Sequence, residues 1–230
     1  MKQFLTNSVY FGVIISLAGY VLGVWLKNKF KLGLFNPLLI SIIFVMAALM
    51  ILHVDYESYN TSAKFLSYLL TPATVCLAIP LYQQLELLKK NVRAVILGIL
   101  AGILSSLGSV LALAYLFGLN HEQYVTLLPK SITTAIGMGI SEELGGITTI
   151  TVAVIIITGV IGNIIAEAIC KAFKIHEPIA VGLAIGTSAH AIGTARALEI
   201  GEIEGAMSSL AIAVSGLLTV IGASVFANFL

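Results

Sequence analysis

The chain has 230 residues, of which 59% are hydrophobic and 10% charged, with a formal net charge of +1. A soluble domain carries about 25% charged residues, so this composition excludes an ordinary water-soluble fold, and the near-neutral balance excludes an electrostatic nucleic-acid interface. A mean hydropathy of +1.05 fits a chain whose apolar faces are solvated by lipid.

Charge-poor apolar runs fall at 9–26, 34–52, 65–85, 94–119, 125–141, 147–166, 178–195 and 205–229. A helix needs about 20 apolar residues to cross the hydrocarbon core, and about six of these runs meet that need. The first run is read as a span and not as a cleaved signal, because it is long and its cations, Lys27, Lys29 and Lys31, follow it. Gly19-x-x-x-Gly23 within it, and Gly98-x-x-x-Gly102 further on, signal close helix packing.

The run 65–85 contains Pro72 and Pro80, each of which removes a helical donor. Thr71 and Thr74 are placed to satisfy the freed groups and are candidate site residues. A plain proline kink explains the same segment.

The runs 125–141 and 178–195 are short, rich in Gly, Ser and Thr, and charged. They are expected as re-entrant or broken helices. In the first, Pro129 suits a helix start, and Ser131, Thr133 and Thr134 follow Lys130. Such a cationic helix start suits an anion; alternatively Lys130 reaches the headgroups. The second gathers Thr187, Ser188, His190, Thr194 and Arg196 within about eleven residues, an expensive set in lipid. An Arg196–Glu199 pair is the bland alternative for the guanidinium. Glu142, Glu143, Glu199, Glu202 and Glu204 read as solvated loop faces, with Glu143 or Glu199 as candidates for carrying a proton.

The two unusual segments are alike. Ala135-Ile136-Gly137 recurs as Ala191-Ile192-Gly193, and Glu143-Leu144-Gly145 as Glu199-Ile200-Gly201. One crossing, 147–166, lies between them, so two re-entrant copies enter from opposite faces. That is an inverted repeat of the kind that places a transporter's site near the midplane. The match is short, and its residue types are common in membrane helices. The basic clusters Lys27/Lys29/Lys31, Lys89/Lys90/Arg93 and Lys171/Lys174 share one side only if 125–141 does not cross. The positive-inside rule then puts these loops in the cytoplasm and both termini outside.

Cys76 and Cys170 have no disulfide or metal spacing and read as reduced packing residues. No nucleotide-binding, metallohydrolase or serine-nucleophile motif occurs. Ser188 and His190 are two residues apart, a poor helical geometry for nucleophile and base. No enzyme, cofactor or metal is expected.

Three stretches resemble the bacterial CidB/LrgB family: Pro129 to Gly137 with Ser141 to Gly146; Gly186 to Glu199 continuing through Glu204 to Ser209; and Pro72 to Tyr82. They cover most of the chain from about residue 65, and Lys130-Ser131-Ile132-Thr133 leans toward the CidB branch. The resemblance implies one all-α polytopic membrane domain, 1–230, in a bacterial cytoplasmic membrane. It implies either of two roles. One is holin/antiholin-like control of murein hydrolase activity and programmed lysis, with a small LrgA- or CidA-like membrane partner. The other is transport of small monocarboxylates, since some LrgA/LrgB pairs are associated with pyruvate and a fused chloroplast relative moves glycolate and glycerate. Family-scale reasoning also implies a homo-oligomer, most simply a dimer.

Transport is the reading carried forward. In it Lys130 or Arg196 neutralises the carboxylate. Ser131, Thr133, Thr134, Thr187, Ser188, His190 and Thr194 line the path, with Thr71 and Thr74. Glu143, Glu199 or His190 couples protons.

Overall fold

The computed structural model describes residues 8–30, 35–69, 72, 75–76 and 78–230. Every regular element among them is helical. By length and apolarity, five helices are long enough to cross a membrane, and a sixth apolar helix is shorter. The chain divides into two compact units, Met1–Cys76 and Leu77–Leu230.

In the first unit, α1 (Phe11–Phe30) packs on α2 (Pro37–Leu52) and α3 (Tyr56–Ala63). Glycines set the approach. A Cβ on Gly12 would lie 2.5 Å from the Tyr59 carbonyl, and one on Gly23 would lie 2.7 Å from the Pro37 backbone. The Gly19-x-x-x-Gly23 signal is therefore a helix seam. Asn36 starts α2 by accepting from the N–H groups of Leu38 and Leu39, with Pro37 in the first turn. The run 65–85, expected as a kinked span, is described only as a 3-10 helix, Lys64–Leu69, and α4, Ala78–Gln83, which belongs to the second unit.

The second unit continues with α5 (Leu85–Lys90), α6 (Val92–Phe117), α7 (His121–Leu127), α8 (Thr134–Glu143), α9 (Thr148–Ala172), α10 (Pro178–Ile200) and α11 (Glu202–Phe226), closed by a 3-10 turn, Ala227–Phe229. The run 125–141 is a broken helix: α7 begins earlier, at a capping box between Asn120 and Gln123, and residues 128–133 separate it from α8.

The run 178–195 proves longer than expected. It comprises two helical halves that meet at His190 and fold back on each other: a Cβ on Gly193 would lie 2.9 Å from the Ile185 side chain, and Val181 and Ile200 border one cavity, with Arg196 and Glu199 on the last turns of the second half. Both ends of α10 therefore lie together, the arrangement expected for a re-entrant segment.

α10 is the most buried of these long helices, packed against α6, α9 and α11. Small residues admit it. A Cβ on Gly182 or Gly186 would lie 2.5 Å from the carbonyls of Glu204 or Ser208 on α11, and one on Gly102 of α6 would lie 2.6 Å from the Thr187 hydroxyl. Lipid gives no hydrophobic drive between helices, so such close backbone packing is what holds them together.

Gly186→Val should therefore destabilise the protein by about 1–3 kcal/mol or more through overpacking. Gly108→Ala, where an added Cβ meets nothing within 4 Å, should be neutral. Thermal unfolding of the detergent-solubilised variants checks both.

Candidate functional site

The break between α7 and α8 leaves backbone groups without helical partners, and α9 supplies them. Thr126, at the end of α7, accepts the Ile147 N–H at its hydroxyl (2.8 Å) and the Thr151 hydroxyl at its carbonyl (2.9 Å). The Thr151 hydroxyl also lies 2.7 Å from that of Ser141 on α8. Both sides of the break are thus tied to the first turns of α9. Gly145, with φ 81°, makes the turn from α8 into α9.

The break in α10 is at His190, whose φ of 42° and ψ of −141° lie where only glycine is at ease. Its buried imidazole Nε2 is 3.0 Å from the Ile155 carbonyl, and the ring rests on Gly159. The Thr194 hydroxyl donates to the His190 carbonyl (3.1 Å) and lies 2.6 Å from the Ser208 hydroxyl of α11. Asn163 of α9 donates to the Ile192 carbonyl (2.7 Å). One turn further, Glu167 pairs with Arg196, which also pairs with Glu199. Thr151, Ile155, Gly159, Asn163 and Glu167 follow each other at intervals of four, so one ridge of α9 serves both breaks.

A cavity of about 330 Å³ opens where the first break meets the stretch of α10 just before the second. Lys130 and Ser131 face it from the first break, Thr187 and Ser188 from α10, and Ser105, Ser106 and Ser109 from α6. The Lys130 ammonium donates to the hydroxyls of Ser131 (2.9 Å) and Ser106 (3.4 Å), and the Ser106 hydroxyl donates to that of Ser131 (3.0 Å). None of the ion pairs among the described residues includes Lys130. The hydroxyl hydrogens of Thr187 and Ser188 go to the carbonyls of Leu183 (2.8 Å) and Ala184 (2.6 Å), so these side chains offer the cavity lone pairs. Lys130 suits the charge of a small anion, while the lone pairs of Thr187 and Ser188 suit a hydrogen-bond donor on the same molecule, such as a hydroxyl.

Of the residues expected to act together, Lys130, Ser131, Thr187 and Ser188 line this cavity. His190 and Thr194 are buried behind it, joined to α9 and α11. Thr133 and Thr134 start α8 and do not line it. Arg196 is held by Glu167 and Glu199, away from the cavity, so the internal pair considered for it is present and has a further acid. Glu143 is exposed at the end of α8. Thr71 and Thr74 lie outside the described residues. Sequence reasoning passed over Ser105, Ser106, Asn163 and Glu167. Their signal was present, as polar residues inside long apolar runs.

The LrgB-like family model matches residues 16–229. The antiholin-like protein LrgB of Bacillus mycoides (strain KBAB4) is 38% identical over 226 residues, covering 98% of this chain and 98% of that protein. The antiholin-like proteins LrgB of Bacillus cereus (strain B4264) and Bacillus anthracis (strain CDC 684 / NRRL 3495) match to the same extent, 38% over 226 residues. These relatives carry the LrgB name, although the Lys130 to Thr133 run leaned toward CidB. No solved structure matches the chain.

Thr151→Val would orphan the Thr126 carbonyl and remove a partner of Ser141 at nearly constant volume. It should cost about 1–3 kcal/mol, the penalty of leaving a buried polar group unsatisfied. Denaturant unfolding in mixed micelles checks this, with Thr149→Val at the exposed neighbouring position as the neutral control.

Proposed function

The chain belongs to the LrgB-like family, and from that premise we propose that it is an antiholin-like membrane protein, restraining murein hydrolase activity and lysis with a small LrgA- or CidA-like membrane partner. The observation that carries this is 38% identity over nearly the full length of relatives named antiholin-like. The family match runs through both compact units, which supports treating 1–230 as one working domain. The proposal keeps the N-terminus outside, with Lys27/Lys29, Lys89/Lys90/Arg93 and Lys171/Lys174 facing the cytoplasm of a bacterial membrane. It includes a homodimer and assigns no catalytic residue.

A specific observation favours a second reading, in which the restraint acts through secondary transport of small monocarboxylates such as pyruvate or glycolate. This is the Lys130 ammonium among hydroxyls, in no ion pair among the described residues and next to two broken helices. Ala135 and Ala191, equivalent in the sequence repeat, each fall just after a break. That supports an inverted repeat with its site between the copies. Thr187, Ser188 and Ser131 would then contact substrate, with His190 and Thr194 holding the break. Thr133, Thr134, Thr71 and Thr74 would belong to the approach. Arg196 with Glu199, and Glu143, would serve proton coupling or closure at the ends.

Two measurements separate the readings. In cells lacking their own LrgB homologue, this chain should lower murein hydrolase activity on zymograms and slow detergent-induced lysis; no change in either would sink the antiholin reading. In vesicles, purified chain with its small partner should take up labelled pyruvate or glycolate saturably. Lys130→Ala should cut that uptake about tenfold or more, the effect of losing one charge-assisted hydrogen bond. A non-saturable leak indifferent to Lys130 would remove the transport reading.

A further inference from the structure

A second cavity, of about 350 Å³, adjoins the hydroxyl-lined one, and Lys130, Ala184 and Ser188 border both. Its character is opposite. Ile157, Ile161, Ile165 and Ile169 form one ridge of α9 along it, and the neighbouring row contains Gly162 and Ala166. A ridge of isoleucines beside a row of small residues makes a groove along the helix, about 18 Å long for the twelve steps from Thr158 to Cys170 at 1.5 Å each. The four isoleucine side chains are 55%, 49%, 39% and 44% exposed, so the groove is open.

The register of the helices gives the groove a polar end. Gly162 lies against Ala189, while Cys170 borders a cavity with Val181, so the half of α10 before His190 runs antiparallel to α9. Ser188, with Lys130 beside it, therefore lies toward the Thr158 end. The isoleucine groove continues away from there toward Ile169. The Lys130 cation at the head, and an apolar groove behind it, are complementary to a molecule with one negative end and one apolar end. A two- or three-carbon acid fills only the hydroxyl cavity and leaves the groove unused.

We propose that the two cavities act as one site for an amphiphilic monocarboxylate, a free acid of medium chain length whose carboxylate meets Lys130 and whose tail lies along the α9 groove. This deepens the transport reading, on which it rests for its purpose, by naming a substrate class. Burying each additional methylene adds to affinity, so tail length should tell directly in binding.

The test is equilibrium binding of radiolabelled octanoate and acetate to the full chain in phosphatidylcholine nanodiscs, with empty nanodiscs subtracted. Octanoate should bind about tenfold or more tighter than acetate. Lys130→Gln should weaken octanoate about tenfold and leave octanol unchanged. Ile161→Trp, with Ile165→Trp as a second way to fill the groove, should bring octanoate down to acetate's affinity without altering acetate. Equal affinity for the two acids, or octanoate binding indifferent to Lys130→Gln, would overturn the proposal. Loss of octanoate binding when phosphatidylglycerol is added would also overturn it, by showing that a bilayer lipid occupies the groove. Failure of the same preparation to move pyruvate in vesicles would sink the transport reading and leave the binding result standing, so the two are separable.

Discussion

One ridge of α9 holds the second unit together. A membrane protein can break a helix only where the freed amides and carbonyls find partners, because lipid offers none. Here Thr151 and the Ile147 N–H hold the first break, while the Ile155 carbonyl, Gly159 and Asn163 hold the second. Glu167 then fixes the tail of the second broken helix through Arg196. Spacing by four keeps all of these on one continuous line of the helix surface. The other groups on α9 are free to be apolar, and most of them are.

The placement of the cavity follows from that support. With both breaks tied to α9, the irregular backbone of 128–133 carries Lys130 toward α6, and the stretch of α10 before His190 brings Thr187 and Ser188 to the same space. The glycines of α6 and α10 let the helices close around it, leaving room only for small polar side chains. Hydroxyls satisfied by their own helix, as at Thr187 and Ser188, are tolerable in such a place because their hydrogens are already used. Lys130 differs. Its hydrogen bonds go to neutral hydroxyls, which share its protons without cancelling its charge.

Much of this was legible beforehand. Apolar runs marked α1, α6, α9 and α11, and the Gly-, Ser- and Thr-rich composition of 125–141 and 178–195 marked two segments that could not be plain spans. Lys130, Ser131, Thr187 and Ser188 were picked for their type and do share a cavity. What stayed hidden depends on a second helix. Arg196 and Glu199 looked like the end of a segment, because a lone charge stops a hydrophobic run. In the structure a carboxylate from α9 meets Arg196, and the helix runs on to Ile200. His190 looked like a ligand for substrate, because nothing in its neighbours in sequence revealed the Ile155 carbonyl opposite it. Ser105 and Ser106 were passed over since two hydroxyls inside a long apolar helix usually bond back to their own backbone.

The arrangement has a consequence for how the chain is made. Ribosomes deliver the first broken helix before the ridge that will satisfy it, and deliver the second one after. While α7 and α8 emerge, the partners of Thr126 and Ser141 have not yet been synthesised. This hairpin therefore has to wait in a wet or proteinaceous place, the insertion channel or the aqueous margin, until Ile147 and Thr151 arrive. α10 meets no such delay, since Ile155, Asn163 and Glu167 precede it and stand ready as a template. Assembly of this unit is thus asymmetric in time although its two breaks are alike in form.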